Sequence, residues 1–195
     1  SPEEEWPARA SLWVLELAAK QARQLTDGSF TPGSPQWSPD GSKLAFLYGQ
    51  PPQLHLADPS GTDPRPVTSS SPVRSFAWSP DSRSIAYVTA TEEAPPYVNY
   101  FPRQVFLGTG RLWLLEVASG QSRRFTEHEY PGLSRLLWSR DSRRLAFLAK
   151  PPGTAKDRTA IEVMYVLSVA DGLVRSLAPG FDFHRGAIGL TWSGD

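Results

Sequence analysis

Apolar positions along the chain fall into short runs that recur in a fixed order. Leu12-Trp13-Val14-Leu15-Glu16-Leu17 and Leu112-Trp113-Leu114-Leu115-Glu116-Val117 are close copies; Leu54-His55-Leu56-Ala57-Asp58 and Met164-Tyr165-Val166-Leu167-Ser168-Val169 are looser ones. Each run has strand length and leads into turn residues such as Ala118-Ser119-Gly120-Gln121 or Ala170-Asp171-Gly172, so each predicts a hairpin. From Glu16, Asp58, Glu116 and Ser168, seven residues lead to Arg23, Arg65, Arg123 and Arg175, and ten lead to Thr26, Thr68, Thr126 and Ala178. A constant offset across four copies marks a repeated unit.

A second unit alternates with the first. Trp37-Ser38-Pro39-Asp40-Gly41 runs on to Leu44-Ala45-Phe46, and Trp78-Ser79-Pro80-Asp81-Ser82 to Ile85-Ala86-Tyr87. Trp138-Ser139-Arg140-Asp141-Ser142 runs on to Leu145-Ala146-Phe147, and Trp192-Ser193-Gly194-Asp195 ends the chain. In the first copy proline presets φ for one corner of a β-turn, aspartate suits the next, and glycine tolerates the exit. The tryptophan therefore closes one strand and the apolar triplet opens the next. Two hairpins in series make a four-stranded antiparallel meander.

Intervals of 42, 58 and 52 residues separate Leu12, Leu54, Leu112 and Met164. A four-stranded unit of about 40–50 residues with one tryptophan is the pattern of a β-propeller blade. The excess length lies between residues 89 and 110 and between residues 150 and 160. Both insertions occupy the same junction of the repeat, so both emerge on one face, where loops commonly carry function. Blades are expected to begin near Ser34, Val73 and Leu133 and to end near Thr68, Thr126 and Ala178. An outer hairpin from Ser11 to Thr26 precedes them, and an inner strand from Ala187 to Trp192 follows. The expectation is an all-β propeller segment over residues 11–195, with three full blades and partial blades at both ends, preceded by a linker or arm over residues 1–10. Closed propellers use about four to eight blades, so the segment is expected to belong to a larger one.

Composition narrows the function classes. Lys+Arg and Asp+Glu both number 20, which argues against a dedicated nucleic-acid surface. The absence of cysteine excludes disulfides, thiolate metal sites and a cysteine nucleophile. No apolar run approaches the roughly 20 residues of a membrane-spanning helix. The histidines His55, His128 and His184 lie in separate repeats without zinc-ligand spacing, so neither metal nor other cofactor is expected. Gly132-Leu133-Ser134-Arg135-Leu136 lacks the second glycine of a hydrolase nucleophile turn and precedes a blade strand, so no catalytic residue is assigned.

Recurrence in register assigns Trp37, Trp78, Trp138 and Trp192 to packing between blades, and Asp40, Asp81 and Asp141 to turn hydrogen bonds. The four recurring arginines are expected on outer strands as solvated edge charges. Tyr97, Tyr100, Phe101 and Arg103 remain as recognition candidates, because rigid aromatics in a proline-rich insertion give contact area at low entropic cost.

The Trp-Ser-Pro-Asp-Gly unit with Leu-Ala-Phe, and the Leu-Trp-Val-Leu-Glu-Leu unit with Arg-Gln-Leu-Thr, resemble the WD40-like repeat of TolB-type propellers over residues 11–195. Ser82 and Ser142 replace the turn glycine, Arg140 and Gly194 the proline, and Ala178 the threonine. The long insertion followed by Arg111-Leu112-Trp113 makes the chain look more like the N-terminal propeller of prolyl-oligopeptidase-type serine peptidases, including acylaminoacyl peptidases. That resemblance implies a non-catalytic propeller that screens and positions peptide substrates for a C-terminal α/β-hydrolase domain, in the cytoplasm. A TolB-like module would instead bind a protein or peptide in the periplasm.

Overall fold

The computed structural model describes residues 10–60, 64–69, 71–91, 108–157, 159–177 and 191–193. They form two compact units, Ser1–Pro72 and Val73–Asp195. The first holds a hairpin, β1 (Trp13–Glu16) and β2 (Gln21–Gln24), then a meander of β3 (Gly33–Trp37), β4 (Leu44–Tyr48), β5 (Gln53–Ala57) and β6 (Arg65–Pro66). The second holds two sheets. One comprises β7 (Val73–Trp78), β8 (Ser84–Ala90), β9 (Thr109–Glu116) and β10 (Ser122–Arg124), with β11 (Tyr130–Pro131) added to the start of β9. The other comprises β12 (Ser134–Trp138), β13 (Arg144–Ala149), β14 (Val163–Ser168) and β15 (Val174–Leu177). All pairings are antiparallel between chain neighbours, except that β11 returns to β9. These are the three four-stranded blades expected from the repeat, and β1–β2 is the outer hairpin expected before them.

Central strands read as continuous apolar runs because both their faces are covered: Leu44 to Leu47, Ile85 to Val88 and Leu145 to Ala149 are all buried. The outermost strands are short and exposed, and carry Arg65, Arg123 or Arg175. Short charged edges discourage pairing with foreign strands. In each blade the innermost strand pair shifts register, between Gly33 and Gln36, Val73 and Ser75, and Ser134 and Leu137. Such bulges bend a strand and re-aim its side chains.

The turns after Trp37, Trp78 and Trp138 are hydrogen-bonded β-turns, with Gly41, Ser82 and Ser142 donating to the carbonyls of Ser38, Ser79 and Ser139, and the turn after Trp192 lies outside the described residues. These three residues have φ of 72°, 62° and 58°, so the positions where serine replaces glycine keep the left-handed geometry. The serine hydroxyl donates to the aspartate Oδ1 at 2.6 Å in all three copies, Asp40, Asp81 and Asp141. That same oxygen accepts the backbone N–H of Ser42, Arg83 or Arg143. The serine Oγ in turn accepts from Lys43, Ser84 or Arg144 N at 2.9 Å. Neighbouring hydrogen bonds hold the Asp141 carboxyl below the usual carboxylate range, the Ser139 hydroxyl first among them.

Within the second unit the first sheet turns Ala86, Val88, Leu112, Leu114 and Phe125 toward Trp138, Leu145, Phe147, Ala149, Val163, Tyr165 and Leu167 of the next. Phe147 and Tyr165 stack at 5.3 Å, and the Tyr130 ring meets both edge-on at 5.2 and 5.1 Å. Polar contacts frame this layer. The Trp138 indole N–H donates to the Ala77 carbonyl at 3.1 Å, Asp81 N donates to Ser142 Oγ at 3.1 Å, and Arg123 Nη2 donates to the Val169 carbonyl at 3.1 Å. Arg123 also lies 4.7 Å over the Phe125 ring. It is therefore more than the solvated edge charge expected from its position.

In the first unit Leu12, Val14 and Leu25 of the hairpin pack against Leu44, Phe46, Ala57 and Tyr48. Trp78 and Trp138 are buried, whereas Trp37 is 45% exposed, so the expected core position does not extend to it. The cause lies in the hairpin before it. Among the described residues β1 and β2 have no inner strands of their own against which the indole can pack. His55 stacks on Phe46 at 5.5 Å and meets Tyr48 edge-on at 5.8 Å. Burial pushes its imidazole below the usual range, against a smaller opposing effect of the Gln53 carbonyl.

Three outcomes follow. Phe147→Ala removes a ring with no exposed surface and is expected to cost about 3–5 kcal/mol in urea unfolding. Ser79→Ala leaves the Ser84 N–H and the Asp81 carboxylate without their buried partner, and is expected to cost about 1–3 kcal/mol. Because the folded His55 pKa is depressed, its stabilisation is full above the unfolded value of about 6.5 and is lost as pH falls through the folded value. Urea midpoints should therefore fall between pH 7.5 and 5.5, and His55→Phe should flatten that slope.

Candidate functional site

Both insertions leave the second unit at one end of its sheets. The longer begins after Thr91 at the end of β8 and returns at Gly108, just before β9; the shorter connects β13 to β14. Backbone bonds tie these ends together. Thr91 N donates to the Thr109 carbonyl at 3.1 Å, Gly132 N to Gly108 O at 2.9 Å, and Lys150 N to Pro131 O at 2.8 Å. The β9 start is paired on both sides, with Gly110 opposite Ala90 of β8 and Tyr130 of β11. Glycine is required there because a Cβ would lie 2.8 Å from Val88 Cγ1.

This doubly paired strand end carries a small polar cluster. Arg111 and Glu129 form a part-buried ion pair, and Thr91 Oγ1 donates to Glu129 Oε2 at 3.2 Å. Arg111 Nε is buried without a hydrogen-bond partner among the described residues. At the other foot of the loop the Arg74 guanidinium lies against Gly108, so close that a Cβ at that glycine would fall 2.8 Å from Nη2. Desolvation lowers the Arg74 pKa. Two arginines, one ion-paired and one packed beneath a glycine, thus flank the loop feet. The arrangement suits recognition of an acceptor such as a carboxylate or a peptide carbonyl.

Tyr97, Tyr100, Phe101 and Arg103 all lie outside the described residues. Asp40, Asp81 and Asp141 sit in the turns already described, with their carboxylates engaged by local hydrogen bonds. Trp192 donates its indole N–H to the Leu137 carbonyl at 3.2 Å, the relation Trp138 has to Ala77. Ser134, in the string compared with a nucleophile turn, begins strand β12. Among the described residues no group of three or more His, Asp or Glu is placed to hold a metal ion, and no helix is long and apolar enough to cross a membrane. Sequence reading missed Arg74, Arg111 and Glu129. Glu129 was legible only as part of the charged run Glu127-His128-Glu129, and nothing in one dimension shows that β11 carries it back to β9.

No family model matches the chain. Two curated proteins match part of it: the uncharacterized peptidase YuxL of Bacillus subtilis, 30% identical over 92 residues, and dipeptidyl-peptidase 5 of Porphyromonas endodontalis, 30% identical over 83 residues. These matches cover 43% and 41% of this chain but only 13% and 12% of the two proteins. Among solved structures, TolB of Acinetobacter baumannii superposes with a TM-score of 0.60 at 19% identity, over 88% of this chain and 38% of TolB. The acylaminoacyl peptidase of Pyrococcus horikoshii gives 0.60 at 19% identity, over 86% of this chain and 27% of the enzyme. The β-propeller domain of the trilobed protease of Pyrococcus furiosus gives 0.59 at 18% identity, over 86% of this chain and 48% of that one. The chain thus has a β-propeller fold that resembles both TolB and the propellers of peptidases.

Proposed function

We propose that this chain is the non-catalytic propeller portion of a prolyl-oligopeptidase-like serine peptidase, where it limits access and positions peptides for an α/β-hydrolase domain. The observation that carries this reading is the insertion between β8 and β9. It springs from a doubly paired strand end flanked by Arg74 and by Arg111 paired with Glu129, and it contains Tyr97, Tyr100, Phe101 and Arg103. Aromatic side chains supply the apolar contacts of an extended peptide, and guanidinium groups engage its carbonyls or carboxylate. The peptidase names of the two curated relatives support the same assignment. A TolB-like module that binds a protein or peptide is the second reading, supported by the likeness to TolB.

Fluorescence anisotropy of labelled peptides titrated with the full chain tests this reading. Saturable peptide binding is expected, weakened about tenfold or more by Tyr100→Ala or Arg103→Ala. Binding of folded proteins without binding of peptides would favour the second reading. The chain is expected not to hydrolyse peptide p-nitroanilides; turnover abolished by a serine-directed inhibitor would overturn the non-catalytic assignment.

A further inference from the structure

One pair of rings recurs in the repeat. Phe46 stands opposite His55, Tyr87 opposite Trp113 and Phe147 opposite Tyr165, and the pairs stack at 5.5, 6.3 and 5.3 Å. On the β1–β2 hairpin the counterpart of the second ring is Trp13. The first blade alone holds an imidazole where the other copies hold a phenol or an indole, so only there can the position take up a proton in mild acid. What the pair packs on is repeated too. Phe147 and Tyr165 share one core with Leu112, Leu114 and Phe125 of the preceding sheet. Leu12, Val14 and Leu25 hold the same places on the hairpin, and they pack on Phe46 and its neighbours. His55 thus belongs to the layer that fastens the hairpin to the β3–β6 sheet.

The same imidazole meets a second fastening. Its ring lies edge-on to Tyr48 at 5.8 Å. The Tyr48 hydroxyl donates to the Asp27 carboxylate and accepts the Phe30 N–H at 3.4 Å, and the Phe30 ring meets Tyr48 at 5.6 Å. Tyr48 therefore ties down the connection between β2 and β3. Few charged groups face this cluster. On the hairpin, Arg23 shares the covered face with Val14, and Glu16 follows two positions on, opposite Gln21. On the connection, Asp27 is reached only through Tyr48. On β6, Pro66 stands opposite His55, and Lys43 and Asp58 of the sheet pair with each other. Nδ1 lies 3.2 Å from the Gln53 carbonyl, and among the described residues no carboxylate pairs with the ring. Burial disfavours the charged imidazole more than that carbonyl favours it.

We propose that His55 is a latch: its protonation releases the β1–β2 hairpin and the connection to β3 from the β3–β6 sheet, while the second unit stays folded. The latch is closed above the ordinary imidazole value and opens as pH falls through the lower folded value. Hydrogen exchange of the full chain, followed from about pH 7.5 to about pH 5 and expressed as protection relative to the unfolded rate at each pH, reads this by segment. Amides of β1 and β2 are expected to lose protection about tenfold or more, while those of β13 and β14 keep theirs. The loss should follow the titration of the His55 ring protons measured by NMR on the same sample. His55→Phe and His55→Tyr put an uncharged ring in the same place, as the other repeats do, and are expected to abolish it. Hairpin protection that does not change with pH would overturn the proposal. So would a loss shared equally by β13, which marks global unfolding, or a loss that persists in a folded variant. The wild-type titration decides even where a variant fails to fold: a loss of protection centred away from the His55 transition overturns the latch.

Discussion

A four-stranded sheet of this kind has two apolar faces and no means of covering either alone. That constraint governs the molecule. In the second unit Ala86 and Val88 of one sheet and Leu145, Phe147 and Ala149 of the other are buried in one shared core, so each sheet depends on its neighbour. The contact that meets this need is specific as well as apolar. An indole N–H on the innermost strand reaches the carbonyl one residue before the previous repeat's tryptophan, and on the outermost strand Arg123 reaches a carbonyl of the next sheet. Between them sit the rings of Phe147, Tyr165 and Tyr130. Stability in such an array is approximately a sum of repeat terms and neighbour terms, so it is distributed along the stack.

The turns serve this packing. Serine and aspartate close a local hydrogen-bond ring that satisfies backbone donors where one strand ends and the next begins, and the serine hydroxyl is buried in all three. In the second and third blades the turns also touch each other, through Asp81 N and Ser142 Oγ. The turn hydrogen bonds expected of Asp40, Asp81 and Asp141 are thus the ones they make. The functional candidates lie elsewhere, at the strand ends where the insertions emerge.

Much of the fold was legible because recurrence multiplies weak signals. One Trp-Ser-x-Asp string says little; three in register with an apolar triplet define blade boundaries to within a few residues, and Val73–Trp78 and Ser134–Trp138 begin where the repeat places them. Other features left no trace of that kind. The bulges on the innermost strands recur at positions near Ser34, Arg74 and Arg135, serine in one blade and arginine in the other two, because the feature is a backbone offset. The Arg111–Glu129 pair was hidden because β11 returns to β9 across a span that reads as a loop. The exposure of Trp37 was hidden for a different reason: its motif matches the buried copies, and what distinguishes it is that, among the described residues, the hairpin before it has no inner strands.

The link from Trp138 to Ala77 and from Trp192 to Leu137 keeps one geometry, 3.1 and 3.2 Å, although the β8–β9 connection inside one sheet is longer than the β13–β14 connection inside the next. The indole contact at the innermost strands is thus the same across connections of different length. The junction between β8 and β9 lies at the opposite side of the sheet's second strand from that contact, so its residues are not the ones that set it. For an engineer this makes the junction a graft site with a fixed frame. For evolution it lets recognition diversify at a rate that the stacking core does not share.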